Sequence, residues 1–110
     1  MPRNDLLPGT LEMMVLQTLT LGALHGYAIA QHIERTSGDT LKVEQGSLYP
    51  ALERLLKAGL VTAKWGESPT GRRARYYTIT ASGRKKLGQE IADFDAVALG
   101  IARVLGREGA

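Results

Sequence analysis

Cysteine is absent from the 110 residues. That removes disulfides, thiolate nucleophiles and cysteine metal sites together, and gives no sign of an oxidising compartment. No run approaches the roughly 18 apolar residues of a membrane-spanning helix. The opening Met1 to Leu7 is interrupted by Pro8 and Gly9 before the apolar core of a secretory leader can form, so a cytoplasmic chain with no membrane partner is expected. There is no paired-carboxylate motif and no phosphate-cradling glycine loop. His25 and His32 have no carboxylate placed to complete a chelate, and they read better as packing or surface residues than as metal ligands. An enzyme is therefore not expected, nor a cofactor, nor a bound metal.

What is present suits one compact folded unit. At 44% hydrophobic and 23% charged residues the chain lies well away from the composition of disorder. A domain this small hides a modest share of its surface, so a partner subunit would help it. The net charge of +3 is unevenly spread. Between Lys64 and Lys86 stand Lys64, Arg72, Arg73, Arg75, Arg84, Lys85 and Lys86 against the single acid Glu67, while the remainder is net acidic. Such a local excess suits a surface that meets a polyanion, or equally a solvated basic loop.

Thr10 is placed to cap a first helix whose Leu11, Met14, Val15, Thr18 and Leu19 recur at three- and four-residue spacing. A second helix fits Tyr27 to Thr36, with Ile29, Ala30 and Ile33 inward. Leu41 to Glu44 alternates apolar and polar and fits a very short strand. A third helix carries Leu48, Leu52, Leu55 and Leu56 as its apolar stripe, with Ser47, Ala51, Arg54 and Lys57 on the other side. Pro50 requires it to begin near Gly46 or Ser47, where open amides would form an anion site. The period then changes to two. Leu60 to Trp65 and Ala74 to Ile79 read as antiparallel strands around a turn at Glu67 to Gly71.

Thr80 caps a last helix from Ala81 to about Leu105, roughly 37 Å long at 1.5 Å per residue. Leu87, Ile91, Phe94, Ala98, Ile101 and Leu105 alternate spacings of four and three, the seam of a coiled-coil-like helix. Such a helix outruns the core of its own subunit, so the seam is expected to meet a second chain; folding back across its own domain is the other way to cover it. The expected fold is mainly α with a small β-hairpin, a winged helix-turn-helix over 1–80 followed by a C-terminal dimerisation helix over 81–110.

In that plan the third helix enters the major groove and the hairpin, or wing, meets backbone or minor groove. Ser47, Tyr49, Pro50, Ala51, Arg54 and Lys57 mix hydrogen-bonding groups with small apolar surface suited to base edges. Arg73 and Arg75 share a strand face and could both approach phosphates. Tyr49, Tyr76 and Tyr77 also have a plainer reading as partly buried rings with wet hydroxyls.

The sequence resembles the PadR family of bacterial transcriptional regulators from Leu7 to Leu105. The matching stretches are His25-Gly-Tyr-Ala-Ile29, Gly46-Ser-Leu-Tyr-Pro-Ala-Leu-Glu-Arg-Leu55, Gly59-Leu-Val61 and Gly71-Arg-Arg-Ala-Arg-Tyr-Tyr-Thr-Ile-Thr80. The resemblance implies a homodimeric repressor of a palindromic operator on double-stranded DNA, released by a small hydrophobic or phenolic effector. It implies DNA contacts at Ser47, Tyr49, Pro50 and Arg54 on the third helix and at Gly71, Arg72, Arg73 and Arg75 on the wing. It makes His25 to Tyr27 a structural corner, and packs the last helix across the dimer. Relatives that sense drugs line a cavity between those helices with aromatic rings, whereas here the helix carries only Phe94. A winged helix that binds protein instead of DNA shares this plan; a third-helix face and wing left basic and uncovered distinguish the two.

Overall fold

The computed structural model describes residues 9–107. Met1 to Pro8, with the interrupted apolar opening, and residues 108–110 lie outside the described residues. No helix among the described residues is long and apolar enough to cross a membrane.

Helix α1 spans Thr10–Leu19, strand β1 Leu24–His25, α2 Gly26–Thr36 and α3 Gln45–Lys57. Strands β2, Val61–Glu67, and β3, Arg73–Ile79, form the hairpin, and α4 runs Ala81–Val104. The N-cap of α1 is Gly9 rather than Thr10, and no side chain caps it. Gly9 turns the chain in at a φ of 87°, so Thr10 is already helical. Leu11, Val15, Leu16 and Leu19 of α1 pack with Ile29 and Ile33 of α2 and with Leu48, Leu52 and Leu55 of α3. Val61, Tyr77 and Ile79 close the core from the sheet side and Leu87 from α4. The one buried polar side chain among the described residues, Thr18, donates its hydroxyl to the Met14 carbonyl at 2.8 Å, so its burial leaves no donor unpaired.

The alternation from Leu41 to Glu44 does not make a strand. The amide of Leu41 donates to Ser37 Oγ at 3.1 Å and that of Val43 to Glu34 Oε2 at 2.8 Å. With those donors taken by side chains the segment is a loop, although Leu41 and Val43 still pack against the core. The short strand lies elsewhere. Leu24 and His25 pair antiparallel with Tyr77 and Tyr76, giving a sheet of order β1-β3-β2. His25 also caps α2, its Nδ1 accepting from the Ala28 amide at 3.2 Å; the helix therefore begins at Gly26, one residue before the expected Tyr27.

Helix α3 starts at Gln45 with Glu44 as N-cap. The amides of Ser47 and Leu48 both donate to the Glu44 carbonyl, at 3.0 and 2.9 Å, so the Ser47 amide, expected to be open to an anion, is already taken. Ala51 also differs from expectation: it is fully buried. Leu48, Ala51, Leu52 and Leu55 form one stripe at helical spacing, and Ala51, three positions after Leu48 and four before Leu55, faces the core with them.

Helix α4 is fixed at its base. Thr80 Oγ1 accepts from the Gly83 amide at 3.0 Å and donates to the Gly59 carbonyl at 2.8 Å, and the Thr80 amide reaches the Leu60 carbonyl at 3.0 Å. Gly83 is pressed against the Leu60 carbonyl so closely that a Cβ there would collide with it. The glycine that weakens helix propensity in this turn is thus the residue that lets α4 sit on the α3–β2 junction. Leu87 is 6% exposed and belongs to the subunit's own core. The uncovered seam begins one step later, at Ile91.

Candidate nucleic-acid interface

The apolar stripe of α3 fixes which of its side chains remain outside. Ser47, Tyr49, Pro50, Glu53, Arg54 and Lys57 are exposed. Tyr49 sits at the head of this face with its ring against Gly26, where an added Cβ would stand 3.0 Å from the ring. A side chain at position 26 would therefore press on the outer end of the Tyr49 ring and shift it by a few tenths of an ångström.

Beside α3 the hairpin projects away from the core. Ser68 N to Arg72 O at 2.7 Å and Gly71 N to Ser68 O at 2.8 Å close its turn, and Gly71, Arg72 and Arg73 at the tip are exposed. In the β2–β3 register Trp65 faces Arg75 and Glu67 faces Arg73. The Arg73 guanidinium lies 5.3 Å from the Trp65 ring centre and that of Arg75 lies 5.8 Å from Tyr77. Strand parity puts Arg73, Arg75 and Tyr77 on one face, which runs from the core at Tyr77 to the basic tip. On the opposite face Tyr76 donates its hydroxyl to the Glu67 carbonyl at 2.9 Å and meets the edge of His25. Burial pushes the Tyr77 phenol above its ordinary pKa, partly offset by the Arg75 cation.

Two ion pairs tie this surface together, and neither is visible in sequence spacing. Arg54 Nε donates to Glu12 Oε2 of α1 at 2.9 Å, a contact that raises the Arg54 pKa first through the hydrogen bond and then through charge. Its side chain remains 59% exposed. Arg75 of the wing stands 3.6 Å from Glu53 of α3, so wing and helix face the same side. Tyr49 of α3 and Arg72, Arg73 and Arg75 of the wing thus line one cleft, whereas Arg54 lies against α1 and α4, beside Glu12, Lys86 and Glu90; Arg54 and Arg75 each already face a carboxylate. Exposed pairs of this kind add little to stability; their effect is to hold long side chains in one orientation.

At the far end of the molecule α4 presents Ile91, Phe94, Val97, Ile101, Val104 and Leu105, all exposed. The helix stretches the chain to 51 Å in its longest direction.

Residues 15–89 match the model of the transcriptional regulator PadR-like family. The negative transcriptional regulator PadR of Bacillus subtilis (strain 168) is 29% identical over 77 residues, 70% of this chain and 42% of that protein. A protein of Streptococcus mutans UA159 of solved structure is 30% identical with a TM-score of 0.75, over 91% of each chain. A PadR family transcriptional regulator from Eggerthella lenta DSM 2243 is 27% identical with a TM-score of 0.76, over 93% of this chain and 85% of that one. The chain belongs to the PadR-like family of transcriptional regulators, DNA-binding proteins built here as a winged helix-turn-helix with one long C-terminal helix.

Proposed function

We propose that this regulator is a homodimeric repressor that reads a palindromic operator, with α3 in the major groove and the wing on the flanking backbone. In this reading Ser47, Tyr49, Pro50, Arg54 and Lys57 meet base edges and nearby phosphates, and Gly71, Arg72, Arg73 and Arg75 hold the duplex by its charge. The observation that carries it is the proximity of Arg75 to Glu53, which sets a basic wing alongside an uncovered recognition face. Repression is the activity printed for the Bacillus subtilis relative. The second copy is supported by the apolar side chains of α4 beyond Leu87: Ile91, Phe94, Ala98, Ile101 and Leu105 form a stripe that excludes water only against another apolar surface. A two-fold dimer sets its recognition helices about one DNA turn apart, roughly 34–36 Å. Release by a small hydrophobic or phenolic effector completes the reading, and the cytoplasm is where the chain meets its DNA. Selection of bound sites from random duplex DNA, beside sedimentation of the free protein, tests it. A two-fold symmetric consensus bound by a dimer is expected; a monomer, or a pool with no enriched sequence, overturns it.

A further inference from the structure

A cleft of about 810 Å³ opens between the hairpin, the start of α2 and the head of α3, within the roughly 300–1,000 Å³ of small-molecule sites. Four aromatic residues line it, of which Tyr77 is buried and three, on three different elements, are exposed: Tyr27 at 62%, Tyr49 at 43% and Trp65 at 59%. Arg72, Arg73 and Arg75 supply three cations to the same lining, which contains neither Asp nor Glu. Arg73 stands over the Trp65 ring, so a cation and an aromatic plane are presented together.

The two halves of this lining ask for different things. With Arg75 already facing Glu53, the guanidinium groups of Arg72 and Arg73 favour an anion, phosphate above all. Apolar ring faces held out to water gain by being covered with another planar surface. Duplex DNA satisfies the first demand and not the second, because stacked base pairs offer the grooves their edges and keep their faces to one another. An unstacked base that carries its own phosphate satisfies both, and stacking on aromatic side chains is tolerant of which base it is.

We propose that this cleft binds a free nucleoside monophosphate, with the base among Tyr27, Tyr49 and Trp65 and the phosphate on Arg72 and Arg73. Its occupation excludes duplex DNA, since the same arginines and the head of α3 are required by both. The exclusion rests on the DNA-binding surface proposed above; the nucleotide site does not.

Trp65 is the only tryptophan of the chain, so fluorescence excited at the red edge of its absorption reports on the cleft directly. Titration with AMP is expected to quench it saturably. Adenosine, which lacks the anion, and ribose 5-phosphate, which lacks the base, are each expected to bind about tenfold more weakly or worse. Calorimetry carries the variants: Trp65→Ala should lower AMP affinity about tenfold and Trp65→Phe should restore most of it, while Arg73→Gln should bring AMP down to the level of adenosine. Equal affinity for AMP and adenosine, or AMP binding indifferent to Trp65→Ala in a folded variant, overturns the site. A single-stranded oligonucleotide binding about a hundredfold tighter than AMP assigns the cleft to a nucleic-acid strand and also overturns it. In the competition arm AMP should raise the apparent Kd of a labelled duplex. If AMP binds and the duplex stays bound, the exclusion is wrong. If AMP binds and no duplex binds at all, the DNA-binding reading fails and the nucleotide site stands.

Discussion

Arg54 Nε lies 2.9 Å from Glu12 Oε2, joining α3 to the first turn of α1 across 42 positions of sequence. The carboxylate holds one edge of the guanidinium and leaves the side chain reaching outward. Arg54→Ala should lower specific operator affinity about tenfold or more and relax the preference at one base pair, if the arginine makes a bidentate base contact. Glu12→Gln should leave the thermal midpoint almost unchanged, because the pair is exposed, yet reduce the ratio of specific to non-specific binding. Titrations on a set of single-base operator variants check both. Uniform loss at every position would reassign Arg54 to the backbone.

The tip of the wing should behave differently. Arg72→Ala combined with Arg73→Ala is expected to weaken binding to every duplex by a similar factor, since phosphate contacts carry affinity without sequence. Each lost phosphate contact should reduce the slope of log affinity against log salt by about 0.9. Affinities at several salt concentrations decide the matter; an unchanged slope removes the wing from the interface.

Gly83→Ala should destabilise the fold, by about 2 kcal/mol or more, although alanine is the better helix former. The added Cβ has no room against the Leu60 carbonyl, and the base of α4 must shift to admit it. Urea unfolding followed by circular dichroism measures the effect. A variant as stable as the parent would mean that the close approach is not maintained in solution.

Ile91→Glu together with Ile101→Glu should convert the proposed dimer to a monomer while leaving each subunit's core intact, because both side chains lie outside the packed region that ends at Leu87. Each buried carboxylate in the seam would cost several kcal/mol if unpaired. Sedimentation beside circular dichroism is the test, and a double variant that still sediments as a dimer places the interface elsewhere.

Burial raises the Tyr77 phenol pKa above the ordinary 10.0. A group whose folded pKa lies above its unfolded one contributes stability that is complete below the unfolded value and is lost as pH rises through the folded value. Folding stability should therefore decline above about pH 10, and Tyr77→Phe should remove part of that alkaline decline without changing behaviour near neutrality. Denaturant titrations of both proteins from pH 8 to 11 make the comparison.

The elements that could be read from sequence are those whose signals are local. Thr80 before Ala81, the change of period after Leu60, and the Leu spacing of the third helix each act within a few residues, and they locate α3, the hairpin and α4. Strand β1 could not be read this way, since two residues become a strand only beside a partner some fifty positions later. The Leu41 to Glu44 alternation reports burial correctly, but Ser37 and Glu34 take the amides that a neighbouring strand would have used. Ala51 is ambiguous by nature, small enough for either side of a helix. Tyr49 and the wing arginines meet at one cleft, but Glu12 and Glu53, the acids that face Arg54 and Arg75, lie on other turns or other helices. Only the folded chain shows that they meet.

The seating of Gly83 on Leu60 has a mechanical consequence. Thr80 and Gly83 clamp the foot of α4 to Gly59 and Leu60, the junction where α3 ends and the hairpin begins. Because Leu87 is still packed in the subunit's own core, the free part of α4 runs from there to Val104, about 25 Å at 1.5 Å per residue, and acts as a lever arm: a tilt of about ten degrees carries its tip about 4 Å sideways. In the proposed dimer the relation also runs in reverse, and a displacement of several ångströms where two such helices lie together near their tips becomes a rotation of about ten degrees between the two copies of α3. The spacing between half-sites would then be set as much at Leu60 as at the surface that touches DNA.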